Sequence, residues 1–206
     1  MRPYGREEEG KEVNQEQESV EDKIVNAAIE CIERYGIKGT TNRRIAALAG
    51  VNSAAINYYF RSKDILVKRC MQVTLENAFG EHEFEDLPDG SAEERLEAMF
   101  DHLLEGGTRY PGIARAHFYE LIAEGKYDSL TVQKLNEFSD RLQQDMREHG
   151  ARPSDGELKL ACLQISSAVM LMILAPRLFE QSFGFDLRQE NTRKVFLHRL
   201  VARLLA

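Results

Sequence analysis

Residues 41–63 read TNRRIAALAGVNSAAINYYFRSK, and the rest of the chain is interpreted outward from them. Ile45, Ala46 and Ala49 form a short apolar helical face, and Gly50 stops it. Asn52 is placed to cap a second short helix, Ser53 to Phe60, and Arg61-Ser62-Lys63 opens a third. Two short helices joined by a three- or four-residue turn containing glycine make the helix-turn-helix pattern, whose second helix enters the DNA major groove. The small residues Ala46, Ala47, Ala49, Ala54 and Ala55 are expected to let the two backbones approach closely. Side chains projecting from the second helix, Ser53, Ala54, Asn57 and Tyr58, are the candidates for reading base edges. Asn can pair with adenine, and an Ala methyl can meet a thymine methyl. Phosphate positioning needs cations and donors near helix N-termini, and Thr41, Arg43, Tyr59 and Lys63 are the candidates for it. Periodicity alone would give a helical hairpin in any all-α protein the same outline.

The residues are more specific than the periodicity. The run AGVNSAAINYYFRSKDIL resembles the DNA-binding domain of the TetR family of transcriptional repressors, whose pattern is roughly T-x-x-x-I-A-x-x-A-G-V-S-x-x-x-x-Y-x-Y-F-x-S-K-x-x-L. Thr41, Ile45, Ala46, Ala49, Gly50, Val51, Tyr59, Phe60, Ser62, Lys63 and Leu66 match it in register. Asn52 stands where Ser is usual, and both residues cap helices well. Asn57 stands where an aromatic residue is common, which leaves its contact open between base and phosphate. The resemblance covers Ser19 to Leu66 and implies Thr41, Tyr59 and Lys63 as DNA contacts. It also implies a helical effector domain behind the head, and a dimer released from its operator by a small molecule.

Charge is distributed in keeping with this. The chain of 206 residues has a net charge of −7, which argues against non-specific nucleic-acid binding by the whole surface. Residues 19–70 nevertheless hold nine basic and five acidic residues, and both flanking segments are net acidic. Residues 1–18 are rich in Glu, Gln and Gly without apolar periodicity, which reads as a disordered acidic tail with no secretory signal. The three cysteines, Cys31, Cys70 and Cys162, are far apart and read as buried thiols in a reducing cytoplasm. The five histidines show no zinc-type spacing, so neither metal nor cofactor is expected.

Residues 19–66 are therefore expected to form the DNA-binding domain, and 67–206 a ligand-binding and dimerisation domain. The fold class is all-α throughout. The first helix, capped by Ser19, should bury Ile24, Ala28, Cys31, Ile32 and Tyr35 and end at Gly36. The next long helix, from Lys63 to about Phe79, should bury Ile65, Leu66, Cys70, Val73 and Leu75. A loop is expected over 81–90, then a helix capped by Ser91 and ended by Gly106-Gly107. A further helix should turn Ile113, His117, Phe118, Leu121 and Ile122 inward. Leu158 to Ala175 is apolar almost all round, but polar residues interrupt it, so a buried helix is expected rather than a membrane span. Residues 181–187 read as a loop before the last helix.

Inward apolar positions with one polar group would suit an effector site. Met99, Phe100, Leu103, His117, Phe118, Phe138, Leu142 and Met170 are the candidates, and the effector is expected to be small and mostly apolar. Leu158, Ile165, Val169 and Met172, with Phe196, Leu197, Leu200, Val201 and Leu204, are the candidates for a two-fold, four-helix homodimer interface. No G-x-S-x-G, H-E-x-x-H or P-loop pattern occurs, so no catalytic residue is named. The competing readings are a helical protein-interaction module and an all-α enzyme without DNA binding.

Overall fold

The computed structural model describes residues 19–205, and the tail read over residues 1–18 lies outside them. Among the described residues every regular element is a helix. They fall into two compact units divided between Asn77 and Ala78. The division read from the sequence, between 66 and 67, lies inside the fourth helix.

The first unit is built on α1 (Val20–Gly39), α2 (Asn42–Ala49), α3 (Ser53–Phe60) and most of α4 (Lys63–Phe79). The Ser19 hydroxyl accepts the Asp22 amide and starts α1. Its buried face is Ile24, Val25, Ala28, Cys31 and Ile32. Gly36 breaks the helical run at φ 68, and the chain recovers one more turn to Gly39. The Thr40 amide and hydroxyl both donate to the Gly36 carbonyl. This interruption turns Tyr35 outward, against expectation, and Arg44 stacks its guanidinium 4.3 Å from the ring centre. In α4 the stripe Leu66, Cys70, Thr74 is buried, whereas Ile65, one position off that stripe, is exposed rather than inward. Burial pushes the Cys70 thiol up to about 12, so it is an inert apolar filler whose Sγ meets the Val25 carbonyl.

The second unit holds α5 (Glu81–Glu85), α6 (Ala92–Arg109), α7 (Pro111–Glu124), α8 (Leu130–Glu148), α9 (Asp155–Leu174), α10 (Pro176–Phe183) and α11 (Glu190–Leu204). α6 packs against α7, α8, α9 and α11, and is the axis of the core. Reciprocal capping boxes, Ser91 with Glu94 and Ser154 with Glu157, start α6 and α9 as their spacing predicts. Where a loop was expected, α5 places Phe84 beside Phe138 in the core, and the Glu83 carboxylate meets His102 of α6 at 3.1 Å. Five residues are too few for a helical period to show in sequence. The glycine pair does not end α6. A Cβ at Gly107 would lie 2.5 Å from the Ile173 side chain, so the missing side chain lets α9 lie against α6. Ile122, expected inward, is exposed near the end of α7. Pro176 opens α10 as its first residue, so residues 181–183 are helical and not loop.

A polar cluster around Arg95 is buried in this unit. Arg95 of α6 grips Asp145 of α8 through Nε at 2.9 Å and Nη2 at 2.6 Å. The same guanidinium donates to the carbonyls of Phe84 and Pro88, both at 3.0 Å. Every contact is an N–H to an oxygen, so the buried charge is paired and its donors are used. Arg95 thereby ties the α5–α6 connection to α8.

Candidate nucleic-acid interface

The hairpin α2–α3 is held from inside by apolar residues and from its ends by caps. Ile45, Ala46, Ile56 and Phe60 are buried between the helices and α1. Ala47 and Ala54 are exposed, so among the alanines it is chiefly Ala46 that permits the close approach. Ile56 has the largest buried side chain of α3 after Phe60, and a reading drawn to the alanines passed over it. Thr41 caps α2 by accepting the Arg44 amide, and Asn52 caps α3 by accepting the Ala55 amide at 2.9 Å. Gly50 closes α2 at φ 68, the left-handed conformation that a side chain would oppose. The turn leaving α3 is tight. Arg61 sits at φ 59 and ψ −38, and the Ser62 amide reaches back to the Phe60 carbonyl. A non-glycine residue held there stores about 1–3 kcal/mol of strain at the end of the helix that carries the binding face.

The face turned away from this core carries the expected residues. Ser53, Ala54, Asn57 and Tyr58 are exposed on α3, and Thr41 and Arg43 at the start of α2. Tyr58 is 81% exposed, and its ring meets that of Tyr59 edge-on at 5.2 Å. Lys63 departs from the rest. Its Nζ donates to the Ile37 carbonyl at 3.3 Å and the Thr40 carbonyl at 3.1 Å, tying the first turn of α4 to the end of α1. One of its three N–H groups remains for a phosphate. Lys63→Ala should therefore have two effects at once. Melting should show a loss of about 1–3 kcal/mol, and the salt dependence of DNA binding should fall by roughly one counterion. A change in salt slope with unaltered melting would show that the two carbonyl contacts carry nothing.

Sequence reasoning missed two residues here. For Arg44 the sequence leaves a solvated face and a DNA contact nearly equal; in the structure it braces Tyr35 and donates to the Gly39 carbonyl. Asn42 was not singled out. Its Nδ2 donates to the Asn57 Oδ1 across the hairpin at 3.4 Å. Its own Oδ1 is buried without a partner among the described residues, an arrangement that costs about 1–3 kcal/mol. The two residues are fifteen positions apart, and only the assembled hairpin joins them.

In the second unit, Met99, Phe100, Leu103, Phe138 and Leu142 lie within the continuous packed core. His117, Phe118 and Met170, the other candidates for effector contact, lie on α7 and α9 outside that cluster. His117 Nδ1 is 3.5 Å from the buried Thr131 hydroxyl of α8. Desolvation pushes the His117 imidazole down to about 4 from its ordinary 6.5, so the ring is neutral at physiological pH. Above pH 6.5 it costs the fold nothing. Between 6.5 and 4 the unfolded chain takes up the proton first, so stability falls as pH falls, by about 3 kcal/mol at the acid end. Denaturant midpoints at neutral pH and near the acid end of that window should show this loss, and His117→Gln should flatten it. An unchanged pH dependence in that variant would place the acid sensitivity elsewhere.

Of the residues expected at a homodimer interface, Leu158, Ile165, Val169, Leu197 and Val201 are buried in the chain's own core, where no partner can reach them. The reason is rotational. They share the side of α9 and α11 that faces α6. Met172, Phe196, Leu200 and Leu204 pack at the margin of the core and stay partly open. The opposite side of α9 carries Leu160, Leu163 and Leu171, which are 59%, 61% and 53% exposed. α9 is long and apolar enough, by length and composition only, to cross a membrane, but it is capped by Ser154 and packs against α6, α7, α8, α10 and α11.

A helix-turn-helix whose second helix keeps its polar residues outside its apolar lock defines a DNA-binding head. Comparison with known proteins shows what that head is similar to. Residues 24–70 match the family model for bacterial regulatory proteins of the tetR family. The HTH-type transcriptional regulator BetI of Escherichia coli is 37% identical over 81 residues, which span 38% of this chain and 41% of that relative. The chain thus matches less than half the length of that curated relative. Over the whole fold, a transcriptional regulator from Rhodococcus sp. Rha1 superposes with a TM-score of 0.67 at 15% identity, covering 91% of this chain and 96% of that one. The TetR family regulator PfmR from Thermus thermophilus gives 0.62 at 18% identity, covering 88% and 95%. The head of this chain is thus similar to tetR-family helix-turn-helix domains over residues 24–70, and the chain has the fold of these solved regulators.

Proposed function

We propose that this chain is a cytoplasmic transcriptional repressor that binds a near-palindromic operator as a homodimer and leaves it when a small, mostly apolar effector binds the second unit. The observation that carries the reading is the head: α3 buries Ile56 and Phe60 and leaves Ser53, Ala54, Asn57 and Tyr58 open on one face. Thr41, Arg43 and Tyr59 flank that face as donors to phosphate. Self-association uses the open side of α9, Leu160, Leu163 and Leu171, with the partly open Met172, Phe196, Leu200 and Leu204 beside it. The effector site lies where α7, α8 and α9 meet, with His117 and Thr131 as its polar groups and Phe118 and Met170 as apolar walls. An effector acts there only to the extent that it binds the released state more tightly than the DNA-bound one.

Selection of bound sequences from a random DNA pool tests the reading. The expected product is a pair of inverted half-sites whose centres lie about 10 bp, or a multiple of that, apart. Recovery of unenriched DNA would overturn it and favour a helical interaction module. The apolar side of α9 would then be the binding surface.

A further inference from the structure

Asn42 stands at the first residue of α2, and Asn57 stands on the open face of α3. We propose that Asn42 is a positioning residue for base readout: it fixes the Asn57 amide so that this head selects guanine over adenine at one base pair of each half-site. The inference rests on the reading of the head as a sequence-specific DNA binder.

Three observations carry it. The Asn42 Nδ2 donates to the Asn57 Oδ1, so the Asn57 carbonyl is turned toward the protein and its Nδ2 is left to face outward. Asn42 is itself wedged, with its Oδ1 buried and unpaired, so its amide is held by packing and has the Asn57 contact as its polar tie. An apolar or smaller residue would avoid that unpaired oxygen, and the cost of keeping Asn is matched by the orientation it imposes on Asn57. The third observation is chemical. Reading adenine with both ends of an amide requires the carbonyl oxygen to accept from N6 while the nitrogen donates to N7. With Oδ1 turned toward Asn42, which uses one of its two lone pairs, the Asn57 group that projects outward is the Nδ2 donor. Guanine shows two acceptors side by side in the major groove, N7 and O6, whereas adenine sets a donor beside its N7. The expectation from sequence, that an Asn here would suit adenine, is thereby changed by a neighbour the sequence did not associate with it.

The test compares the full-length chain with its Asn42→Ala, Asn57→Ala and Asn42→Asp variants, by sequence selection from a random pool and by thermal melting. The wild type should enrich guanine at one position of each half-site. Asn57→Ala and Asn42→Ala should both relax that position, by about fivefold or more, and leave the other positions alone. Asn42→Ala should melt no lower than wild type, because it removes an unpaired buried oxygen. Asn42→Asp should turn the Asn57 amide round, since a carboxylate can only accept. Oδ1 would then face the base, and enrichment should move to a base with a donor edge, adenine or cytosine. The proposal is overturned if Asn42→Ala leaves the preference intact or alters a different base pair from Asn57→Ala. It also falls, with operator recognition still standing, if Asn57→Ala keeps every preference. A wild type with no preference at all would remove the proposal and the repressor reading together.

Discussion

Replacing Asp145 by Ala should cost the second unit about 3–5 kcal/mol, a large fraction of the roughly 5–15 kcal/mol that holds a domain folded. The carboxylate is fully buried, and two guanidinium nitrogens of Arg95 donate to it. The hydrogen bond it donates to Asp145 first, and the Asp145 charge with it, hold the Arg95 guanidinium above its already high ordinary value, so Arg95 cannot shed its charge to escape burial. Removing the partner therefore leaves a positive charge in the core with only carbonyl acceptors. Urea denaturation monitored by helical signal should report the loss. The double variant Arg95→Met with Asp145→Leu should recover most of it, because exchanging a buried pair for apolar groups of similar size is often neutral or better. A single substitution costing under about 1 kcal/mol would mean that the carbonyls of Phe84 and Pro88 already satisfy the guanidinium.

Leu163→Glu should abolish operator binding although the substituted residue belongs to the second unit. Leu163 is largely exposed in the single chain, so the change leaves the core intact and the fold should persist. On a two-fold interface the glutamate would be buried twice, with its symmetry mate close by, and a buried unpaired carboxylate costs several kcal/mol. Sedimentation should show a species near the chain mass of 23.5 kDa, where the wild type is expected at about twice that. Binding to a two-half-site operator should fall by orders of magnitude, since the two heads no longer act at each other's high effective concentration. Val169→Ala, within the core, should instead lower melting without changing the assembly state. A wild type that sediments as a single chain would sink the interface on α9.

How far the sequence was legible depended on where each signal lived. The end of α2 and the start of α3 were readable because their signals are local: Gly50 is needed at a left-handed position, and Asn52 caps its own helix. The starts of α6 and α9 followed from capping boxes that lie within four residues. The misses are matters of distance along the chain or of rotation about a helix. Tyr35 fits the apolar spacing of α1, but the break at Gly36 and the arrival of Arg44 put it at the surface. Arg95 and Asp145 are fifty residues apart, and no local signal in the sequence pairs them. α9 is apolar on both sides, so periodicity could not say which side faces α6, and the core residues Ile165 and Val169 were assigned to a partner. In the head, the open face of α3 was legible because a short helix that buries Ile56 and Phe60 has one exposed side. The Asn42–Asn57 pair was not, because it exists only across the turn.

Gly106 and Gly107 stand side by side in α6, and to any scale of helix preference they are the same residue. Their prospects under sequence drift are opposite. Nothing lies within 4 Å of a methyl group added at Gly106, so Ala can be accepted there and is favoured in a helix interior by about 1 kcal/mol. At Gly107 the same methyl would meet three carbons of Ile173 within 2.8 Å. Lineages descending from this chain can lose the first glycine freely. They can lose the second only after position 173 has become smaller, so the order in which those two changes occur is prescribed by the spacing of α6 and α9.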